Sequence, residues 1–332
     1  MSRILSLANQ KGGVGKTTTT INLGAAMAEL GKHVLLVDFD PQGALSVGLG
    51  INPNQLDLTI YNLLLDRDVD PHTAIIKTEV PGLEILPSNI DLSAAEVVLV
   101  SEVAREQALK RALQQVRSGY DYILIDCPPS LGLLTVNALT ASDGVVIPLE
   151  CEYFALRGMA LLMDTVEKVR DRLNPDLRLE GIIPTMFDSR TLHGREVLER
   201  VKDAFGQYLY KTVIRRTIRF AEAPVAGESI LTYAGASSGA SDYRALAKEV
   251  LGIVDQTSEP SGSGRALPDD LSAGSSGAGS DPSLIDATGP AGTSESGQSD
   301  SEIYRQGDEG TRPQNGEREA ASRGEGDVLL HP

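Results

Sequence analysis

The chain has 332 residues, of which 41% are apolar, so it can bury one large core or two smaller ones. We find no N-terminal signal-peptide pattern and no run near the ~20 apolar residues that cross a bilayer, so we expect a cytoplasmic protein without membrane attachment. The two cysteines, Cys127 and Cys151, lack metal-type spacing and are too few for a disulfide framework. We expect both to be reduced.

The net charge of −16 is unevenly distributed along the chain. Residues 255–332 hold 15 of the 46 acidic residues but only 5 of the 30 basic ones, together with 13 of the 33 glycines. Such a segment cannot bury enough apolar surface to offset its conformational entropy. We therefore predict a disordered, Gly/Ser-rich acidic tail at residues 255–332 and a folded part at residues 1–254.

Short apolar runs alternate with longer helical patterns through the folded part. Most of the runs are too apolar for a sheet with one solvated face, and buried parallel strands have this composition. We predict an α/β fold with a mostly parallel, helix-flanked sheet. The predicted strands are residues 4–8, 33–37, 83–86, 122–125, 145–149 and 178–184, with a short candidate at 212–214. The predicted helices are residues 16–30, 92–117, 131–141, 156–173, 192–208 and 240–254.

A glycine-rich turn joins the first predicted strand to the first predicted helix. Residues 9–19 read NQKGGVGKTTT. Gly12, Gly13 and Gly15 have no Cβ, so backbone N–H groups can converge on an anion at the positive end of the helix dipole. Lys16 adds a point charge and Thr17 a hydroxyl for Mg²⁺, as in the P-loop pattern. The turn is therefore predicted to bind a phosphate group.

The turn departs from the P-loop pattern at its start. Gln10 stands where the pattern has glycine, and Lys11 follows it. From spacing alone, Lys11 could simply add positive potential at the phosphate site. The sequence KGGVGKTT, however, resembles the deviant Walker A motif of the ParA/MinD family of ATPases. The resemblance implies a P-loop NTPase fold and a Lys11 that reaches the nucleotide of a partner subunit. The implied ATP-binding residues are Lys11, Gly12, Gly13, Val14, Gly15, Lys16, Thr17 and Thr18.

Two aspartates follow the second predicted strand, in the sequence VDFDPQG at residues 37–43. Ligands of open α/β sheets bind at the carboxyl ends of strands, although aspartates there can also simply cap a turn. The sequence DxDPQG resembles the first switch of the same family. Because phosphoryl transfer needs mainly positioning and charge neutralisation, we expect Asp38 in the hydration shell of Mg²⁺ and expect Asp40 to orient the attacking water.

A third aspartate ends the apolar run at residues 122–125. Asp126 is followed by Cys127 and two prolines, which end the strand. It could cap the helix predicted from residue 131, but beside a P-loop the arrangement is of the Walker B type. We predict that Asp126 holds Mg²⁺ through water, together with Thr17 and Asp38. The predicted catalytic residues are Lys11, Lys16 and Asp40.

Positive charge is concentrated between residues 190 and 219, where eight basic residues stand against three acidic ones. Such a window can be a solvated face with ion pairs, but non-specific DNA binding also needs only a few basic side chains on phosphates. Residues 185–191 and 214–224 resemble chromosome-partitioning ParA proteins of the Soj type. The resemblance implies DNA binding by Arg190 and Arg219, with Arg216 as a further candidate. Arg215 and Thr217 stand where the resemblance leads us to expect Pro and Asn. This loop lies near the adenine in the family, so the resemblance does not define the adenine contacts of this chain.

The resemblance covers residues 4–254 and implies a ParA-type P-loop ATPase domain at residues 1–254, with ATP and Mg²⁺ as cofactors. It implies a homodimer that forms with ATP, binds double-stranded DNA non-specifically and releases it after hydrolysis of ATP to ADP and phosphate. We expect slow intrinsic hydrolysis, because the sequence shows no obvious strong general base or arginine finger. Such a protein would act in chromosome or plasmid partitioning on the cytoplasmic nucleoid. A ParB-type centromere-binding partner would stimulate its turnover.

Other functions use the same phosphate motif. The alternative within the family is a MinD-like or other regulatory ATPase that acts on replication or cell division. A MinD-like division-site regulator would need a C-terminal membrane helix, and residues 328–330 are too few apolar residues to form one. A nitrogenase-type iron protein needs two cysteines per subunit placed to bridge a cluster, and no such pair is evident, since Cys127 directly follows Asp126. A metabolic ligase of the dethiobiotin synthetase type would bind a small carboxylate and no DNA. A nucleotide-dependent scaffold is also compatible with the sequence.

Overall fold

A mostly parallel β-sheet organises the part of the chain that the computed structural model describes, namely residues 2–152, 155–188 and 190–253. Its strands are β1 (Arg3–Leu7), β2 (Val34–Asp38), β3 (Ile76–Lys77), β4 (Leu83–Leu86), β5 (Tyr122–Asp126), β6 (Gly144–Glu150) and β7 (Arg178–Thr185). The order is β3-β4-β2-β5-β1-β6-β7, and only β3 and β4 pair antiparallel. The predicted fold class is confirmed. The predicted tail at residues 255–332 lies outside the described residues.

Helices cover both faces of this sheet. They are α1 (Lys16–Glu29), α2 (Ala44–Gly48), α3 (Ile60–Leu65), α4 (Pro71–Ala74), α5 (Leu92–Leu99), α6 (Ala108–Gln114), α7 (Leu133–Ala141), α8 (Ala155–Arg172), α9 (Leu192–Phe205), α10 (Arg219–Val225), α11 (Ile230–Tyr233) and α12 (Ser238–Val250). One hydrophobic core joins the sheet to α3–α9, and a second joins it to α1, α2 and α10–α12. None of the described helices has the length and apolar character needed to span a membrane.

The central strands are apolar on both faces because helices cover both. In β2, Leu35 and Val37 belong to the core with α3–α9, whereas Val34 and Leu36 belong to the core with α1 and α12. Successive strand residues point to opposite faces. A strand buried in this way needs apolar residues at every position, which explains the continuous apolar runs in the sequence.

The continuous helix predicted at residues 92–117 was wrong. The helical path ends after α5, and a 3₁₀ turn at Arg105–Gln107 precedes α6. Ala104, between them, has φ 56°, a left-handed conformation that no right-handed helix can contain. The interruption brings the start of α6 to α7, where the Leu109 N–H donates to Asn137 Oδ1 at 3.2 Å.

The strand candidate at residues 212–214 was also wrong. This stretch runs beside β7, but it makes only isolated contacts with it. The Ile214 N–H donates to the Pro184 carbonyl at 2.8 Å, and single bridges pair Leu209 with Ile182 and Arg215 with Phe187. The stretch therefore lies beside the edge of the sheet as an irregular segment.

Helix α12 is anchored to α1, the helix that begins at the glycine-rich turn. The buried Tyr243 hydroxyl lies 3.1 Å from Thr19 Oγ1, and its ring meets Phe220 edge-on with centroids 5.7 Å apart. Arg244 forms two hydrogen bonds with the Glu29 carboxylate, of 2.7 and 2.9 Å. These contacts fix the position of α12 relative to the turn.

We expect Tyr243→Phe to lower the free energy of unfolding by about 1–3 kcal/mol, because it leaves the buried Thr19 hydroxyl without this partner. Urea unfolding measures the change. Adding Thr19→Val removes the stranded hydroxyl at almost constant shape, so the double variant should recover most of the loss. Additive losses in the double variant would contradict this role of the hydrogen bond.

Candidate nucleotide-binding site

The glycine-rich turn after β1 is held from two neighbouring strands. Asn9 Nδ2 donates to the Pro148 carbonyl of β6 at 2.7 Å, and Asn9 Oδ1 accepts from the Lys11 N–H at 3.0 Å. Thr185, at the end of β7, donates from Oγ1 to the Val14 carbonyl at 2.8 Å. The carbonyl ends of β6 and β7 therefore fix the backbone of the turn.

A cavity of about 230 Å³ lies over this turn. It is lined by Gly12, Gly13, Gly15, Lys16, Thr17, Thr18, Asp40, Pro129 and Met186. Most of the residues predicted to bind ATP are therefore brought together, but Val14 is buried beneath the turn and does not line the cavity. Gly15 caps α1 with φ 86°, a conformation that favours glycine. Met186 was not predicted, and it lines the cavity from a backbone with φ 51°.

Lys16 is a buried cation at the start of α1. Its Nζ donates to the Lys11 carbonyl at 3.3 Å, and no carboxylate among the described residues lies within ion-pair distance of it. Burial lowers the pKa of Lys16, while the negative charge of Asp126 opposes that effect. A buried ammonium without a paired anion among the described residues, at the first position of a helix, suits a phosphate group.

Asp126 and Asp38 lie opposite each other on β5 and β2, and both are fully buried. Asp126 Oδ2 accepts from Thr17 Oγ1 at 2.6 Å, and Oδ1 accepts from Thr20 Oγ1 at 3.4 Å. Burial raises the pKa of Asp126 to about 8, and the charge of Asp38 adds to the rise. Hydroxyl and carboxylate oxygens are ligands that Mg²⁺ prefers, so these residues fit a magnesium ion.

The two aspartates of the first predicted switch differ in position. Asp38 is held by Ser46 of α2, whose N–H and Oγ donate to Asp38 Oδ2 at 2.8 and 2.7 Å. Burial raises the pKa of Asp38 to about 6, against the opposing effect of these hydrogen bonds. Asp40 instead lines the cavity, and its Oδ1 accepts from the Gln42 N–H at 3.0 Å. Ser46 was missed because nothing in its local sequence marks it.

Lys11 is directed towards carboxylates of its own chain. Its Nζ lies 2.8 Å from Glu150 Oε2 and 2.5 Å from Glu152 Oε2. Burial alone would lower the pKa of Lys11, but the two carboxylates more than offset it and raise the pKa overall. Lys11 does not line the cavity over the turn. Neither glutamate was predicted as a partner of Lys11, because only the fold brings the end of β6 to the turn.

Two of the three predicted DNA-binding arginines share a groove of about 500 Å³. The groove is lined by Phe187, Asp188, Arg190, Lys211, Val213, Arg215 and Arg216. The Arg190 side chain is 87% exposed and pairs with Asp188 at 2.7 Å. Arg219 begins α10, pairs with Glu222 at 2.8 Å and does not line this groove. We name this feature the basic groove.

The glycine-rich turn, the buried lysine and the carboxylates at the strand ends define a P-loop nucleotide-binding protein of the α/β class. Comparison with known proteins identifies its family within this class. A family model described as an AAA domain matches residues 2–179. The sporulation initiation inhibitor protein Soj of Bacillus subtilis is 53% identical over 250 residues, which cover 75% of this chain and 98% of Soj. The chromosome partitioning protein ParA of Caulobacter vibrioides is 47% identical over 251 residues, which cover 75% and 94%.

The chain therefore belongs to the Soj/ParA family of partitioning ATPases. Among solved structures, a cobyrinic acid a,c-diamide synthase from Mycobacterium smegmatis with bound ADP and magnesium matches with a TM-score of 0.67 and 44% identity. That match covers 76% of this chain and 94% of the synthase. The fold is thus shared with a protein whose structure holds ADP and magnesium.

We expect Thr17→Ala to weaken magnesium-dependent ATP binding by at least about tenfold, because it removes a candidate ligand that already contacts Asp126. Calorimetric titration of ATP with and without Mg²⁺ measures the effect. Thr17→Ser keeps the hydroxyl and should bind like the wild type. Equal losses with and without Mg²⁺ would contradict a role for Thr17 at the metal.

Proposed function

We propose that this protein is a slow ATPase whose ATP-bound form dimerises and binds DNA during chromosome or plasmid partitioning. The main support is that the buried Lys16 lies beside Thr17, whose hydroxyl contacts Asp126, and that the charge of Asp126 acts on Lys16. Asp126 is in turn paired in register with Asp38, next to the glycine-rich turn. Similarity to Soj and ParA supports the partitioning role. Thr17, Asp38 and Asp126 would hold Mg²⁺, which would neutralise charge on the transferred phosphoryl group.

The remaining site residues suit phosphoryl transfer by positioning. The backbone of Gly12, Gly13 and Gly15, together with the Lys16 ammonium, binds the phosphates. Asp40 orients a water molecule, since its carboxylate lines the cavity and is fixed at one oxygen by the Gln42 N–H. Because phosphoryl transfer depends on positioning and charge, a site without an added arginine has a slow basal turnover, and a ParB-type partner accelerates it.

Dimerisation requires Lys11 to change partners. In the single subunit its ammonium is neutralised by Glu150 and Glu152. In the ATP-bound dimer it crosses to the nucleotide of the other subunit, so the phosphates replace the two carboxylates. Two joined subunits present two sets of basic residues, which raises DNA affinity and its salt dependence together.

We expect Lys11→Ala to bind ATP but to remain monomeric with a slowly hydrolysed ATP analogue, because the crossing cation is lost. Light scattering after gel filtration measures the mass. Lys16→Ala is the comparison, since it should lose ATP binding itself. An ATP-dependent dimer of Lys11→Ala would show that Lys11 acts only within its own subunit.

A metabolic role is the second candidate, because the chain is 44% identical to the structure named as a cobyrinic acid a,c-diamide synthase. An enzyme of that class would act on a small molecule, and DNA binding would not be part of its activity. The basic groove favours the partitioning role over this candidate. A gel shift with non-specific duplex DNA, with and without ATP, separates the two.

We expect the double variant Arg190→Glu/Arg219→Glu to lose DNA binding in this gel shift while it keeps the ATP-dependent dimer. Charge reversal replaces attraction to phosphate with repulsion. The exposed Arg170 of α8 provides the control, and Arg170→Glu should shift DNA like the wild type. Unchanged DNA affinity in the double variant would mean that these arginines only form surface ion pairs.

A further inference from the structure

The segment at residues 211–216 is attached to α12 by two carboxylates. Glu249 Oε1 accepts from the Lys211 N–H at 2.7 Å, and its Oε2 accepts from the Thr212 N–H at 3.0 Å. Asp242 Oδ2 accepts from the Arg215 N–H at 3.2 Å. Since α12 is itself anchored to α1, the backbone of this segment has a fixed position relative to the nucleotide site.

Asp242 also fixes the side chain of Arg215. The Arg215 Nε lies 3.1 Å from Asp242 Oδ2, and its Nη2 lies 2.5 Å from Oδ1. Asp242 is only 8% exposed, whereas the Arg215 side chain is 56% exposed. A guanidinium group carries five N–H donors in a rigid plane, and this pair uses two of them. Three donors therefore remain in a fixed orientation on an exposed side chain.

Arg215 lies on the basic groove beside three other cations. Arg190, Arg216 and Lys211 share the lining, and the acidic residue among the lining side chains, Asp188, is paired with Arg190. Guanidinium forks match the oxygens of phosphate groups. A groove with four cations and one carboxylate has the chemistry of a site for a phosphate backbone.

We propose that Arg215 is a further contact to the phosphate backbone of double-stranded DNA and that Asp242 is the positioning residue that orients it. The inference rests on the proposed DNA-binding function and extends it to residues outside the sequence-based set. A carboxylate beside a DNA contact strengthens binding here, because it holds the guanidinium ready for phosphate.

The test measures binding of ATP-bound protein to non-specific duplex DNA over a series of salt concentrations. Arg215→Ala should bind about tenfold more weakly. It should also lower the slope of log K against log salt by about 0.9 for each DNA phosphate that the protein no longer neutralises. Arg215→Lys keeps the charge but loses the fork, so it should recover only part of the affinity. Wild-type affinity and slope in Arg215→Ala would overturn the assignment.

The Asp242→Asn variant distinguishes a positioning role from a purely electrostatic one by the direction in which it changes DNA affinity. This change removes a negative charge, so a purely electrostatic role predicts tighter DNA binding, whereas loss of orientation predicts weaker binding. We expect weaker binding, and no further loss when Arg215→Ala is added. Tighter binding by Asp242→Asn would overturn the positioning role. If this variant fails to fold, the comparison of Arg215→Ala with Arg215→Lys still decides the assignment.

Glu249→Gln is the matched control, because it makes the same charge change on the same helix but contacts only backbone N–H groups of the segment. An equal loss in Glu249→Gln would assign the effect to the whole segment and overturn the specific role of Asp242. A loss of ATP affinity in Arg215→Ala would assign Arg215 to the nucleotide instead.

The wild type separates failure of the inference from failure of the proposed function. If wild-type protein with ATP does not bind DNA, the proposed function is wrong and the inference falls with it. If the wild type binds DNA and the Arg215 variants bind equally well, only the inference is wrong.

Discussion

Two buried carboxylates on neighbouring strands are the constraint on which this site depends. Asp38 and Asp126 are paired in the register of β2 and β5, where burial raises the pKa of both. Like charges out of water are costly unless donors and cations surround them. Helix α1 supplies the Thr17 hydroxyl and α2 supplies Ser46. Two helices thus supply the hydrogen-bond donors that this pair requires, and a pair of buried carboxylates also suits a divalent cation.

The sequence predicted the centre of the sheet well because its strands are buried on both faces and stand out as apolar runs. Strands β1, β2 and β4–β7 lie within two residues of the predicted bounds at either end. The two-residue strand β3 and the short helices α2–α4, α10 and α11 were missed, since each is too short to show a period. Their positions depend on tertiary contacts such as the hydrogen bond from Ser46 to Asp38.

The same division holds for the site. The residues of the glycine-rich turn are close together in sequence, so a motif could predict that most of them line one cavity. The partners of the charged groups could not be predicted in this way, because they are distant in sequence. Lys11 is 139 residues from Glu150, and Arg215 is 27 residues from Asp242. A count of charges in a window finds the basic residues but does not show which of them a buried carboxylate holds in place.

The two glutamates beside Lys11 also bear on how the proposed dimer would separate. If Lys11 joins two subunits as proposed, each subunit carries an internal competitor for that cation, because the carboxylates of Glu150 and Glu152 lie within 3 Å of its ammonium. In the proposed dimer, recapture of Lys11 by its own glutamates needs no diffusion and no second molecule. In that proposal, recapture of Lys11 after hydrolysis would favour separation of the subunits, so the nucleotide would control how long the assembly lasts.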